Sequence, residues 1–110
     1  MKTPLDYQQL IESSGISLRE LGIADIALNR EDAIRAIDLL QASATPILGG
    51  DVYIMKPNRI EHAYANWHSD PIATETRAQF AERSCSEAKR YIADYPSSVA
   101  HPIFGLVLDG

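Results

Sequence analysis

The hydrophobic pattern of the chain changes period at Pro46, and this change constrains the fold more than any other feature. Before Pro46, apolar residues recur every three or four positions, which is the spacing of helices that bury one face. After it, residues 47–55 are rich in β-forming side chains, residues 56–59 have turn composition, and residues 60–64 can return as a second strand. The change predicts an antiparallel hairpin combined with helices, which is an α+β fold.

Capping residues mark the starts of three helices. Thr3 and Pro4 begin a short N-terminal helix, because threonine accepts from free backbone N–H groups and proline fits the first helical position. Asn29 caps a second helix that extends to residue 43. Thr76 opens a third through a capping box, and this helix ends before a proline at residue 96.

The last apolar run, residues 103–108, predicts a buried strand in the middle of the sheet. Together with the hairpin it gives a small, mainly antiparallel sheet of about three or four strands. Two long helices and the shorter N-terminal helix pack with this sheet. Because 110 residues suffice for one core of ordinary size, we expect residues 1–110 to form a single domain.

No catalytic signature stands out in the chain. Gly49-Gly50 lacks the later lysine and hydroxyl residue of a phosphate-binding loop, so the pair predicts a bulge or bend in the strand. No serine lies in a Gly-x-Ser-x-Gly motif. Cys85 falls on the apolar side of the third helix, where a buried, inert thiol is expected. These motifs therefore predict no catalytic residue and no cofactor.

Two histidines and two aspartates leave one alternative open. His62, His68 and Asp70 lie close in sequence, but their spacing matches no zinc pattern, so no metal site is expected. Joined by Asp51, the same residues suit a small enzyme or ligand-binding domain. That hypothesis requires the four side chains to converge in one concave pocket.

A second group has the composition of a protein interface. Asp51 and Tyr53 are expected on one face of their strand, with Val52 on the other. Tyrosine and tryptophan among a few polar groups are typical interface residues. The candidate partner-binding residues are Asp51, Tyr53, Asn66, Trp67 and Asp70. A structural role is equally open, in which Trp67 packs into the core while Asn66 and Asp70 hold a loop over residues 66–71.

The charge of the chain limits the class of partner. Fifteen acids against ten bases give a net charge of −5, and residues 1–55 carry −4 of it, from eight acids and four bases. This balance argues against nucleic acid and against anionic membranes, which both favour basic surfaces. It permits a basic protein partner, and it leaves a homo-oligomer possible.

Cysteine content and the N-terminal sequence indicate the compartment. A single cysteine excludes an intrachain disulfide. A small secreted domain without any disulfide would be unusual. The first residues contain early acids and no apolar run of the kind found in signal peptides. We expect a cytoplasmic protein.

An ordered set of residues also resembles a known family. The set contains Gly22-Ile23, Ala27 to Arg30, Ala33-Ile34, Ile37, Ile47 to Tyr53, Asn66-Trp67, Ser84, Ala88, Tyr91-Ile92 and Tyr95. It is similar to the Immunity protein 40 family of bacterial polymorphic toxin systems, and the Gly-Gly-Asp-Val-Tyr run with the later Asn-Trp is its most specific part. Where a Tyr-Asp-Asn-Trp arrangement is expected, this chain has alanine before Asn66. The resemblance implies a protein that binds a cognate toxin and requires no active site.

Overall fold

The computed structural model describes residues 4–109, which form three α-helices, five strands and one 3-10 turn. The helices are α1 (Leu5–Ser14), α2 (Arg30–Ala42) and α3 (Arg77–Asp94). The strands are β1 (Ile16–Ser17), β2 (Ile26–Asn29), β3 (Ile47–Met55), β4 (Ile60–His68) and β5 (Pro102–Leu108), and the 3-10 turn covers Arg19–Leu21. Thr3, the expected cap of α1, lies outside the described residues. The α+β class is confirmed.

The five strands form one antiparallel sheet in the order β1-β2-β5-β3-β4. The prediction that the last strand occupies the middle is confirmed. The estimate of three or four strands was too low, because β1 has two residues and β2 has four. Strands this short carry almost no periodicity, and β2 runs directly into the cap of α2.

Both predicted helix caps are present. The Asn29 side chain accepts from the Asp32 N–H at 2.8 Å, and Thr76 and Gln79 form a complete capping box. The description of two long helices fits only roughly, since α3 has 18 residues, α2 has 13 and α1 has 10. Arg30 joins the second helix to the third: its Nη1 donates to the Tyr95 carbonyl at 2.8 Å, close to the C-terminal end of α3.

The two faces of the sheet are covered to different extents. The helix face packs under the helices in the main core, which contains Leu10, Leu28, Ala33, Ala36, Ile37, Leu40, Ile47, Val52, Cys85, Ala88, Ile92, Phe104 and Leu106. The opposite face, called the open face below, carries a smaller cluster at one end, formed by Leu18, Ala27, Tyr53, Ile60 and Ile103. Leu18 and Leu21, from the segment between β1 and β2, cover only that end of it.

Strand β4 is longer and less regular than predicted. The expected loop over residues 66–71 is wrong at its start, because β4 continues through His68. A register shift beside Gly49 (φ 154°) confirms the predicted bulge. A second shift, between Val52 and Tyr53, was not predicted, and it leaves two additional residues of β4, Ala63 and Tyr64, without partners on β3. This second bulge determines the direction of an exposed side chain described below.

Candidate partner-binding surface

Asp51 and Asn66 are paired across β3 and β4 on the open face. The residues aligned with them on the neighbouring strands are Gly105 on β5 and then Ala27 on β2. Asn66 is exposed and Asp51 is half-buried. Among the described residues, the Asp51 carboxylate has no hydrogen-bond or ion-pair partner. The carboxylate is therefore available to a group from outside the chain.

Tyr53 lies on the same face as Asp51, as predicted, but it is only 4% exposed. Its ring contacts the His62 ring, with centroids 4.8 Å apart. Burial raises the pKa of Tyr53, and the negative charges of Asp51 and Asp25 raise it further. Both carboxylates thus lie within electrostatic range of this phenol. Tyr53 supports the surface from below and offers little area for direct contact.

Tyr64 belongs to this surface although it was not among the candidate residues. It is 87% exposed and has a φ of 56°, in the left-handed region. Its N–H donates to His62 Nδ1 at 2.8 Å, and the two rings stack with centroids 4.7 Å apart. The three rings are therefore in contact in a row: Tyr64 stacks on His62, and Tyr53 is tilted against His62 by 59°. Period-two reasoning could not find this arrangement, because tyrosine is not a residue that favours a positive φ.

Trp67 lies on the helix face, away from Asp51 and Asn66. It packs against the main core and stacks on Tyr91 of α3, with centroids 4.6 Å apart. Its strand neighbour Gly50 makes room for the indole, because a Cβ there would lie 2.3 Å from Trp67 Cη2. The indole Nε1 is buried without a hydrogen-bond partner. These contacts support the structural alternative for Trp67.

Asp70 is held in the loop after β4 and is also separate from the open-face pair. Its carbonyl accepts from Arg83 Nη2 at 2.6 Å, and Arg83 is fixed in turn by Glu75 at 2.7 Å. The Asp70 carboxylate is exposed and lies 3.8 Å from His68 Nε2. The structure therefore brings together Asp51, Tyr53 and Asn66 of the five candidates.

The pocket required by the enzyme or ligand-binding hypothesis is not formed by its four residues. His68 and Asp70 meet at the exposed end of β4, whereas the His62 ring lies between two tyrosine rings. One groove, of about 500 Å³, is lined by residues of α3 and its C-terminal end. A second, of about 490 Å³, is lined by residues from β1 to β2. Within residues 4–109, no group of three or more acids, histidines or cysteines is arranged to hold a metal ion.

Comparison with known proteins adds one finding to this geometry. The family model named Immunity protein 40 matches residues 17–108, which is most of the chain. The chain belongs to the Immunity protein 40 family. No match to the chain was found among curated proteins or among solved structures.

The part matched by the Immunity protein 40 family contains β2 to β5 and the second residue of β1, together with α2 and α3. It includes the whole open face described above, and α1 lies before it. Across residues 4–109, none of the helices combines the length and the apolar content that crossing a bilayer requires. The family assignment therefore applies to the same strands that carry Asp51, Tyr64 and Asn66.

Proposed function

We propose that this protein is an immunity protein that binds and neutralises a cognate toxin of a polymorphic toxin system in the cytoplasm of the producing cell. The observation that supports the proposal is the family match over residues 17–108. Such a role requires a binding face and no catalytic centre. Its partner is a toxin domain, and neither nucleic acid nor a membrane takes part in binding.

The open face is the proposed contact surface. Asp51 and Asn66 are the predicted contact residues that present polar groups there, with Tyr53 beneath them. Trp67 packs under α3 and Asp70 lies in a separate loop, so we assign them a role in shaping the C-terminal end of β4. An interface of ordinary size covers about 800 Å² on each partner, which a domain of this size can supply.

The net charge favours a basic partner. At −5, the chain attracts a positively charged surface over distances set by the ionic strength. Complementary charge increases the rate of association and selects among partners more than it increases affinity. A toxin with a basic cleft would therefore be captured quickly and blocked.

Co-expression with the toxin encoded by the neighbouring gene tests the proposal. Cells that make both proteins should survive, and the purified proteins should form a stable complex. Asp51→Lys should leave the domain folded, as judged by circular dichroism, and weaken binding by about 10-fold or more, because it reverses the charge at the contact. Glu82→Lys makes the same charge change at an exposed position on α3 and is the matched control.

The outcomes separate clearly. Cells killed by the toxin despite full expression of the unaltered protein would contradict the proposed function. Loss of the fold in Asp51→Lys would mean that Asp51 is a structural residue.

A further inference from the structure

We infer that Tyr64 is the anchor of the toxin interface, with its ring entering a pocket on a basic partner beside a cation that pairs with Asp51. This inference rests on the proposed function and specifies how the open face would recognise its partner. Four observations carry it: the exposure of the ring, its conformation, the support under it and the unpaired charge beside it.

The exposed apolar side chains are the first observation. Four large ones are exposed among the described residues, namely Leu5, Tyr64, Ile72 and Val107. Single exposed apolar residues are ordinary, but two of these four lie on the open face. Val107 is two positions along β5 from the residue aligned with Asp51, and Tyr64 is two positions along β4 from Asn66. An aromatic ring, an aliphatic side chain and polar groups together match the composition of interface centres.

The backbone at Tyr64 is the second observation. A φ of 56° is unfavourable for a bulky aromatic residue and favourable for glycine or asparagine. Strained residues of this kind persist where the surrounding structure holds them, and they concentrate at functional sites. The bulge in β4 turns the side chain outward, which is a known use of bulges beside binding sites. The backbone alone gives no reason for tyrosine at this position.

The support under the ring is the third observation. The His62 ring stacks on Tyr64 from one side and contacts the buried Tyr53 on the other. The hydrogen bond from the Tyr64 N–H to His62 Nδ1 fixes the backbone as well. A ring held in this way before binding loses little conformational entropy when it enters a pocket, which favours tight association.

The fourth observation is the unpaired charge of Asp51, which indicates the kind of surface that the partner presents. Asp51 has no cationic partner among the described residues, and its charge and that of Asp25 both act on Tyr53. Five basic side chains of the described chain are paired with acids elsewhere: Arg35, Arg59, Arg77, Arg83 and Lys89. A carboxylate covered by an interface favours a cation opposite it, because burying the charge unpaired is strongly unfavourable. The open face therefore fits a surface with an arginine or lysine next to an apolar pocket.

Variants at Tyr64 test the inference against the toxin domain encoded by the neighbouring gene. Tyr64→Ala and Tyr64→Gly should each weaken the measured Kd by about 30-fold or more, the usual loss at an interface anchor. Tyr64→Phe should keep most of the affinity, because it keeps the ring. Ile72→Ala removes an exposed apolar side chain outside the open face and should bind as the parent does.

Thermal unfolding of the same variants excludes a purely structural effect. Tyr64→Gly should unfold at the same temperature as the parent or higher, since glycine adopts a positive φ without strain. Weaker binding by an equally stable variant supports the anchor role. Weaker binding together with a lower melting temperature in Tyr64→Gly would overturn it.

Two further outcomes separate this inference from the proposed function. If the parent protein protects cells and the Tyr64 variants bind equally tightly, the anchor is overturned while the immunity function stands. If the parent neither binds nor protects, both are overturned. The affinity should also fall as salt increases, and Asp51→Asn should reduce that dependence. An affinity that does not change with salt would overturn the inference that the partner surface is basic.

Discussion

The two faces of the sheet are built from the same strands and differ in what covers them. Val52 and Phe104 point to the helix face and are completely buried under α2 and α3. Asp51 and Asn66, one position away from core residues on their own strands, point to the open face, which is covered at one end only. The alternation of a β-strand thus supplies a core on one face and accessible polar groups on the other with one set of backbone hydrogen bonds.

The comparison extends to the glycines. Gly50 lies under Trp67 on the helix face, whereas Gly105 lies on the open face, where a Cβ would find ordinary contact with Tyr53 at 3.6 Å. The helix face is closed around fixed side chains, and the open face has space. Tolerance to substitution should therefore differ between the faces, and it can be measured.

The largest effect is expected from a charge placed on the helix face. Ile37 of α2 is completely buried in the main core. Ile37→Asp should unfold the domain, because an unpaired buried carboxylate costs about 4 kcal/mol or more, a large part of the stability of such a domain. Urea unfolding measures it. Arg35→Asp, on the exposed side of the same helix, is the control and should remain folded. A cooperative, native-like unfolding curve for Ile37→Asp would contradict the assignment of the core.

The next largest effect on stability is expected from adding one methyl group, which can be done on either face. Gly50→Ala should lower the free energy of unfolding by about 2–3 kcal/mol, because the added Cβ overlaps the indole of Trp67 and the Gly105 carbonyl, 2.4 Å away. Gly105→Ala should change the stability by about 1 kcal/mol or less, since its Cβ has room. Chemical denaturation of the pair compares the faces directly. Equal losses in the free energy of unfolding of the two variants would contradict the difference in packing between the two faces.

The smallest effect concerns alkaline pH and the tyrosines on the two sides. Tyr7 packs against the main core, and burial, with the nearby Asp25 charge, raises its pKa from 10.0 to about 12. The fold favours the neutral phenol, so this stabilisation is complete below pH 10.0 and is lost as the pH rises toward about 12. The loss should be about 1 kcal/mol, less than the full shift implies, because the residue is half-buried.

Tyr7→Phe tests this effect through the free energy of unfolding measured on either side of pH 10. The variant should lose less stability than the parent over the alkaline range, because it has no proton to release. Tyr64→Phe, whose ring is exposed, is the control and should follow the parent curve. If the free energy of unfolding falls equally with pH in Tyr7→Phe and in the parent, Tyr7 is not the source of the alkaline loss of stability.

Local signals predicted much of this fold. The caps at Asn29 and Thr76, the hairpin and the bulge at Gly49 depend on residues close together in the chain, and all are present. The central place of β5 was predicted from its apolar run. The two short strands before α2 were missed because β2 pairs with a strand more than seventy residues away and β1 pairs with β2.

The surface was harder to predict than the fold. Alternation correctly placed Asp51 and Tyr53 on one face, since both lie on one regular strand. The position of Trp67 depended on the register of β4 and on the missing Cβ of Gly50, which are properties of the folded pair. The exposed position of Tyr64 depends on a bulge in β4 that the sequence pattern did not predict. Sequence reasoning therefore identifies the polar group on the surface and misses the ring that stands out from it.

The place of β5 has a consequence for protein synthesis. This strand follows all the others in the described chain, yet it lies between β2 and β3 and joins the two parts of the sheet. Until the ribosome has released residues 102–108, the edge of β3 that pairs with β5 has no partner strand. The aligned row from Ala27 to Asn66 does not exist before that moment. Any protection that depends on the open face therefore begins only when translation has passed the last strand.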